Sequence, residues 1–301
     1  MKEKREAVSF IEKNPIIMII LGICGISVSA ILVKYSSAPS EVTAAYRLCF
    51  TVLLMSPVVF LRKESRNELF SVDKRTVFMC IVSGIALAVH FVTWFESLKH
   101  TSVASSTTIV CTEVVWVALG FCLFMHGKLS KQAVMAIIVT LAGSVLIAMS
   151  DSSSGGAQLY GDILSIIAAV AVALYTLIGR AARSTVSTTV YTYIVYCACA
   201  FVLVAFSVFK GNRLYGYGLN SYLVGLLLAI CSTILGHSIF SWCLKYFSPA
   251  FVSASKLCEP VVAATLAAIL FGEIPDIFVV AGGCIILAGV IWYSRIETAK
   301  K

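Results

Sequence analysis

The sequence predicts an all-α membrane protein with ten transmembrane helices, arranged as two inverted five-helix repeats with both termini in the cytoplasm. Three observations lead to this fold class. The 301 residues are 59% hydrophobic and only 13% charged, whereas about a quarter of the residues in an average soluble domain are charged. Apolar segments follow one another along the whole chain. A polar motif in the fourth of these segments recurs in the ninth.

Ten apolar segments approach or exceed the length of about 20 residues that a membrane-spanning helix needs. They cover residues 15–33, 41–61, 76–98, 103–125, 131–149, 160–181, 188–209, 219–242, 249–271 and 276–294. Because the connections are short, neighbouring helices are predicted to run antiparallel. The charged start of the chain precedes an apolar run that is too long for a signal peptide, so we interpret this run as the first membrane helix.

Lysine and arginine are distributed unevenly between the two sets of predicted loops. The loops on the side of the termini hold 17 of these residues, and the loops on the other side hold four: Lys34, Lys99, Lys210 and Arg213. Since cytoplasmic loops carry the excess of positive charge, both termini are predicted to be cytoplasmic, in a multi-pass protein of the cell (inner or plasma) membrane. The same loops account for the net charge of +8, so no nucleic-acid partner is expected.

One sequence motif occurs in both halves of the chain. Residues 97–116 align without a gap with residues 243–262, and Glu113 falls opposite Glu259 at an offset of 259 − 113 = 146 residues. We therefore divide the chain into a first five-helix repeat, residues 1–150, and a second, residues 151–301. An odd number of helices in each repeat turns the second one upside down. Inverted repeats are typical of secondary transporters, whose substrate site lies near the bilayer midplane.

Ionisable residues within predicted membrane helices are the first candidates for substrate binding, because such residues usually face a cavity. Glu113 and Glu259 are predicted to lie at similar depth. Lys256 precedes Glu259 by three residues and should share its helical face, so a Lys256–Glu259 pair would leave Glu113 for a proton or a cationic substrate group. The alternative is a structural role, with hydroxyl-capped carboxylates and Lys256 as a counter-ion. Pro260 is predicted to kink the helix.

Histidine, tryptophan and serine side chains supply the other candidates for substrate binding. His90 and Trp94 lie one turn apart on the third segment, where an imidazole can titrate near neutral pH and an indole can hold a ring or a cation. His237 and Ser241 form a similar face on the eighth segment. Trp116 lies on the fourth segment, one turn beyond its glutamate. A packing role is the alternative for each of these residues.

Further polar and small residues are predicted to have structural roles. Arg47 and Glu41, at the outer end of the second segment, are predicted to form an interfacial pair, or Arg47 to snorkel towards water. The three tyrosines within residues 191–196 predict an aromatic belt at the membrane interface. The glycines within residues 282–289 predict a close contact between helices.

Cysteines and catalytic motifs argue against two other classes of protein. The 11 cysteines lie in apolar stretches without a CxxC pair, so neither a zinc site nor a disulfide framework is predicted. The sequence has no GxSxG, no HExxH and no phosphate-binding loop motif. We expect no enzymatic activity, no cofactor and no metal.

Four motifs occur in order along the chain: TAAYRLCF at 43–50, FESLKHTSVASSTTIVCTEVVWVAL at 95–119, GDILSIIAAVAVALYTLIGR at 161–180 and KLCEPVVAATLAAILFGEIPD at 256–276. They resemble the EamA-type family of the drug/metabolite transporter superfamily, and the resemblance covers nearly the whole chain. The resemblance implies a ten-helix bundle with a central cavity lined by helices one, three, four, six, eight and nine. It also implies the export of small metabolites or amino acids. One departure is visible: the first-half partner of Gly272–Glu273 is Gly127–Lys128, where many relatives have an acidic residue.

We therefore expect a secondary transporter that exports small amino-acid-like metabolites by alternating access. The substrate carboxylate is expected to meet Lys256, its ammonium group or a proton to meet Glu113, and its side chain to meet His90 and Trp94. Expected partners are the small molecule, with or without protons, and the lipid bilayer, for a monomer or a weak homodimer. The alternative is a non-transport membrane scaffold or a lipid-handling protein, which predicts paired polar groups and no cavity that reaches either surface.

Overall fold

The structure, a computed structural model, describes residues 14–101, 103–149, 158–271 and 277–299. Within these ranges the chain forms helices joined by short turns, and none of the described residues is in a strand. The predicted boundary between the repeats, near residue 150, falls outside the described residues, as do both ends of the chain and the Gly272–Glu273 part of the last motif.

The helices of the first half follow the predicted segments, with one additional short helix. They are α1 (Pro15–Ser27), α2 (Ser29–Lys34), α3 (Ser40–Leu61), α4 (Lys63–Ser71), α5 (Lys74–His100), α6 (Val103–Cys111), α7 (Glu113–Phe124) and α8 (Lys131–Met149). The first segment comprises α1 and α2, and the fourth comprises α6 and α7.

The second half has the same order of segments. Its elements are α9 (Gln158–Ala182), α10 (Thr188–Phe209), α11 (Gly218–Leu227), a π-helix (Leu228–Ser238), α12 (Ile239–Cys243), α13 (Pro249–Lys256), α14 (Glu259–Phe271) and α15 (Ile277–Thr298). The eighth segment comprises α11, the π-helix and α12, and the ninth comprises α13 and α14.

Eight helical stretches among the described residues are long and apolar enough to cross a membrane. They cover residues 15–34, 40–61, 74–100, 106–124, 159–182, 188–209, 218–243 and 277–298. Many leucine, isoleucine, valine and phenylalanine side chains are exposed on these helices, which suits contact with lipid. The protein therefore spans the membrane several times. Ten crossings and cytoplasmic termini remain predictions, since α8 is a shorter apolar helix and the ninth segment is divided.

Side chains cap the N-termini of several helices among the described residues. Asp73, Ser187 and Ser248 each accept a hydrogen bond from a backbone N–H in the first turn of α5, α10 and α13, which satisfies donors that the helix itself leaves unpaired. The Thr76 hydroxyl also donates to the Asp73 carboxylate at 2.6 Å. This bond holds the pKa of Asp73 below its usual range, because it favours the charged form of the acid.

The helices pack in pairs that follow the offset of 146 residues. Helix α9 lies along α5, and the equivalent pair is α1 against the π-helix. Helix α8 lies along α15, and α10 lies along α3. In each of these two pairs, the offset relates one helix to the other. Two copies of one unit, related by an axis through the molecule, would produce this matching of contacts.

Glycines bring α8 and α15 into close contact. A Cβ atom added at Gly282 would lie 2.6 Å from the carbonyl oxygen of Gly143, and one added at Gly143 would lie 2.7 Å from that of Gly282. Real Cβ atoms do not approach a backbone oxygen so closely, so the two helices can meet here only because both residues lack a side chain. The predicted close helix contact is confirmed, and its partner is α8.

Two predictions about the membrane interface are wrong. The three tyrosines within residues 191–196 are buried, because α10 packs against both α3 and α5, and Tyr191 bonds to the Ser83 hydroxyl at 2.8 Å. Glu41 does not pair with Arg47. It forms an ion pair with Lys210 at 2.8 Å, and its carboxylate raises the pKa of the Lys210 ammonium.

Candidate substrate-binding site

The fourth and ninth segments are interrupted at equivalent positions. Helix α6 ends at Cys111 and α7 begins at Glu113, while α13 ends at Lys256 and α14 begins at Glu259. At the predicted kink before Pro260 the helix is interrupted for two residues, because proline has no N–H to donate to the preceding turn. The break before Glu113 occurs without a proline and was not predicted. Each break places a glutamate at a helix N-terminus, where the helix dipole favours negative charge.

A cavity lies between the interrupted helices. Its lining among the described residues is Ile26, Ser29, His90, Trp94, Thr107, Val110, Cys111, Glu113, Val172, His237, Lys256 and Glu259. These residues come from segments one, three, four, six, eight and nine, the six helices that the resemblance implied. Six of the eight predicted site residues are among them.

Lys256 pairs with Glu113, and the predicted pair with Glu259 is wrong. Lys256 Nζ lies 2.9 Å from Glu113 Oε1, and the side chains are only 9% and 4% exposed. The prediction assumed a continuous helix, in which residues three apart share a face. The break after Lys256 removes that relationship, and α13 packs against α7 instead. The ion pair therefore joins the two interrupted helices.

Glu259 is the second carboxylate on the cavity wall. Its side chain forms no hydrogen bond and no ion pair with any other residue that the structure describes. The charges of Lys256, Glu113 and Arg47 nevertheless lie near enough to interact with it. Glu259 thus has the position that was predicted for Glu113, a partly buried carboxylate without an ion-pair partner among the described residues.

The histidines of the cavity form a cluster with aromatic rings. His90 Nδ1 lies 3.0 Å from the carbonyl oxygen of Ala168. A carbonyl oxygen only accepts, so Nδ1 carries the proton and Nε2 of the neutral ring is an acceptor. The His90 ring stacks on Trp94 with centroids 5.9 Å apart and an angle of 16°. The His237 ring lies edge-on to His90 at 6.3 Å.

Three buried polar atoms of the cavity lining have no hydrogen-bond partner among the described residues. They are Trp94 Nε1, Thr107 Oγ1 and His237 Nδ1. Buried polar atoms in native proteins nearly always have a partner. These three atoms are therefore available to water or to a bound molecule.

Two predicted site residues lie away from this lining. The Ser241 hydroxyl is buried and bonds to the Tyr175 hydroxyl at 2.8 Å. Trp116 is 41% exposed and does not line the cavity. The geometry of the cavity gives no support to a role for either residue in substrate binding.

Arg47 is buried beside the cavity, although the sequence predicts it at the membrane surface. Its side chain is 0% exposed. Nε donates to Thr233 Oγ1 at 2.7 Å, and Nη1 donates to Ser29 Oγ at 3.3 Å. Cζ lies 4.1 Å from the centre of the Phe91 ring. The prediction failed because α10, α11 and the π-helix cover the first turns of α3; small neighbours in TAAYR were the only signal of close packing.

The π-helix brings two polar residues to this region. It covers 11 residues, Leu228–Ser238, and π-helical turns are frequently found at functional sites. Thr233 accepts the hydrogen bond from Arg47, and His237 lines the cavity. Helix α1 reaches this element closely, since a Cβ at Gly25 would lie 2.7 Å from the carbonyl oxygen of Cys231.

A multi-span helical bundle with charged residues on the wall of a cavity between interrupted helices is the arrangement expected of a membrane transporter. The model of the EamA-like transporter family matches residues 13–149 and, a second time, residues 159–295. The two matches differ by 159 − 13 = 146 residues at their starts, the same offset that relates Glu113 to Glu259. The chain belongs to the EamA-like transporter family, and it transports small molecules across a membrane. Members of this family are transporters rather than enzymes.

Relatives of similar length support this assignment. The chain is 25% identical over 291 residues to the uncharacterized transporter YxxF of Bacillus subtilis, covering 96% of this chain and 89% of the relative. It is 24% identical over 289 residues to the pseudopaline exporter CntI of Pseudomonas aeruginosa, covering 94% and 96%. A crystal structure with 14% identity has the same fold, with a TM-score of 0.78 over 96% of this chain and 99% of that one.

Proposed function

We propose that this protein exports small zwitterionic, amino-acid-like metabolites across the cell (inner or plasma) membrane by alternating access. The observation that carries the proposal is the cavity, where charges of both signs lie beside polar atoms that have no hydrogen-bond partner among the described residues. A zwitterion brings both signs of charge and several hydrogen-bonding groups into such a site. A purely apolar molecule would leave these groups unsatisfied, at a substantial cost in free energy.

The ammonium group of the substrate, or a proton, is assigned to Glu259. The sequence favoured Glu113 for this role, but Glu113 already holds Lys256 at 2.9 Å. Separating a buried ion pair costs about 3–5 kcal/mol, which weighs against a substrate that has to displace either partner. Lys256 still has two further N–H donors, so it can contact a substrate while the pair stays intact.

The side chain of the substrate is assigned to the cluster of His90, Trp94 and His237. The stacked His90 and Trp94 rings provide an aromatic surface, and such surfaces favour flat or cationic groups. The partnerless Trp94 Nε1 donates, and His90 Nε2 accepts. The cluster therefore suits a substrate whose side chain combines apolar area with a polar group.

Alternating access is assigned to the relative movement of the two repeats, residues 1–150 and 151–301, which we propose to be inverted in the membrane. The Lys256–Glu113 pair and the interrupted helices lie where the repeats meet, as in other transporters built from inverted repeats. The outward direction rests on the family resemblance and on a relative that is named an exporter, at 24% identity.

The alternative of a scaffold or lipid-handling protein has weaker support. It predicts that polar groups in the helices are tied up in pairs, and the Lys256–Glu113 pair fits this expectation. Glu259 and the three partnerless atoms of the cavity do not fit it. We therefore favour transport of a solute.

The proposal is tested by a thermal-shift screen of the purified protein against amino acids, amines, sugars and nucleosides at two pH values. A ligand that binds the folded state stabilises it by about 2.7 kcal/mol at a hundredfold excess over Kd. Amino acids should raise the melting temperature of the wild type, and Glu259→Gln should abolish the shift. Glu64→Gln, on the exposed helix α4, is the control. A shift with sugars or nucleosides and none with amino acids would contradict the proposal.

A further inference from the structure

Arg47 is a fully buried cation with no acidic partner among the described residues. Its two hydrogen bonds go to the neutral hydroxyls of Thr233 and Ser29, and its flat face lies on the Phe91 ring. Hydroxyl groups satisfy donors but do not balance the charge. A buried charge without a counter-ion is unfavourable, and ionisable residues inside membranes usually mark the path of a substrate.

The guanidinium group retains donors for a ligand. Nε and Nη1 are engaged, whereas Nη2 has no partner among the residues that the structure describes. Guanidinium presents five N–H donors in one plane and binds carboxylates through two parallel hydrogen bonds. The Nη2 part of the guanidinium group therefore remains free to bind a ligand.

The residues around Arg47 belong to the wall of the cavity. Ser29, which accepts from Nη1, lines the cavity directly. Thr233 precedes the cavity residue His237 by four positions on the π-helix. The ring beneath the guanidinium belongs to Phe91, next to the cavity residue His90 in the chain. The guanidinium thus contacts a residue of the cavity wall, although Arg47 is not itself part of the lining.

Arg47 and Glu259 are complementary charges that do not touch. Their charges interact, but the two groups form no ion pair. Lys256 and Glu113, by contrast, neutralise each other within the same site. As far as the described residues go, the region therefore presents one carboxylate and one guanidinium that each lack an ion-pair partner. A molecule that carries an ammonium group and an acid group would complete both.

We propose that Arg47 binds the acid group of the substrate and thereby selects metabolites that carry a carboxylate next to an ammonium group. The proposal rests on the proposed function, since it requires the cavity to be the substrate site. It differs from a purely structural role, in which Arg47 only holds the π-helix against α3 through Thr233. A structural role affects stability but does not distinguish an acid from its amide.

The test compares each acid with its amide in thermal-shift titrations: L-leucine with L-leucinamide, and L-phenylalanine with L-phenylalaninamide. A pH of about 6.5 keeps the amines largely protonated. The wild type should bind the acids at least about tenfold more tightly than the amides, as expected for a hydrogen-bonded ion pair. Arg47→Gln, which keeps a donor for the hydroxyls but removes the charge, should lose this preference. The double variant Lys256→Met/Glu113→Gln tests the other cation of the site, and Glu64→Gln, on the exposed helix α4, is the control that should keep the preference.

Three outcomes would overturn the proposal. The first is an Arg47→Gln protein with the preference of the wild type, and the second is a preference that disappears in the double variant but not in Arg47→Gln. The third is a wild type that binds amides as tightly as acids, and this outcome can be measured on the wild-type protein alone. If Arg47→Gln does not fold, Arg47→Lys serves instead: it keeps the charge without the fork, and unchanged acid binding would contradict the proposal.

The result separates this inference from the proposed function. If the acids stabilise the wild type and Arg47→Gln equally, only the role of Arg47 is lost, and the export of amino-acid-like metabolites stands. If no acid stabilises the wild type while another class of compound does, the proposed function fails and this inference fails with it.

Discussion

Lys256 and Glu113 form a 2.9 Å ion pair between residues that are 143 positions apart in the chain. The pair joins the end of α13 to the start of α7, so it links the two interrupted helices at the wall of the cavity. Under the 146-residue offset the equivalent of Lys256 is Val110, which also lines the cavity. The two halves are therefore not chemically equivalent here, and within the described part of the chain only Glu113 of the two glutamates has a cation at ion-pair distance.

Removing one partner of this pair should destabilise the protein strongly. Lys256→Met leaves a buried carboxylate unpaired, and the expected loss in the free energy of unfolding is about 3–5 kcal/mol. Lys256→Met/Glu113→Gln removes both charges and should recover most of the loss. Denaturant unfolding of the purified variants in detergent measures this double-mutant cycle. A double variant as unstable as the single one would contradict the ion pair.

Gly282 should tolerate no side chain. Gly282→Ala forces a methyl group against the carbonyl oxygen of Gly143, at 2.6 Å before any relaxation, and overpacking of this kind costs about 1–3 kcal/mol. Gly283→Ala is the matched control, because its methyl group would meet Val261 at an ordinary 3.5 Å. Thermal unfolding should show a lower melting temperature for the first variant and little change for the second. Equal effects would argue against the close contact between α8 and α15.

The cap at Asp73 should make the stability of α5 depend on pH. The folded pKa lies below the unfolded one, so the stabilisation is complete above the unfolded pKa, about 4, and is lost as the pH falls through the folded value. The gap in melting temperature between wild type and Asp73→Ala should be constant near neutral pH and shrink below about pH 4. Asp73→Asn, which still caps but does not titrate, should show no such change relative to Asp73→Ala.

Trp94 and Trp116 should differ in their effect on ligand binding. Trp94→Phe removes a buried indole N–H from the cavity wall, and the loss of one hydrogen bond of about 1 kcal/mol weakens binding about fivefold. Trp116 is 41% exposed and lies outside the lining, so Trp116→Phe should leave the affinity unchanged. Thermal-shift titrations with the ligand from the screen measure both. A larger effect at Trp116 would move the site away from this cavity.

Much of the architecture could be read from the sequence, because hydrophobicity and repetition are local properties of the chain. The apolar runs predict membrane helices, and the ungapped match around Glu113 and Glu259 predicts two related units. The family model matches the chain twice with the same offset. The break at Pro260 follows from the chemistry of proline alone. The equivalent break before Glu113 has no such local cause, and no sequence signal predicts it.

The tertiary structure decided which polar groups meet. Spacing along the chain suggested that Lys256 pairs with Glu259, but the spacing rule applies only to an unbroken helix. Because the helix is interrupted after Lys256, this residue pairs instead with Glu113 in the other half of the chain. Arg47 is seven residues into its helix and looks like a surface residue in sequence; it is buried because three elements from the second half cover it. Burial and ion pairing depend on neighbours that are distant in sequence. The sequence alone therefore predicts the helices but not which charged residues of different helices lie next to each other.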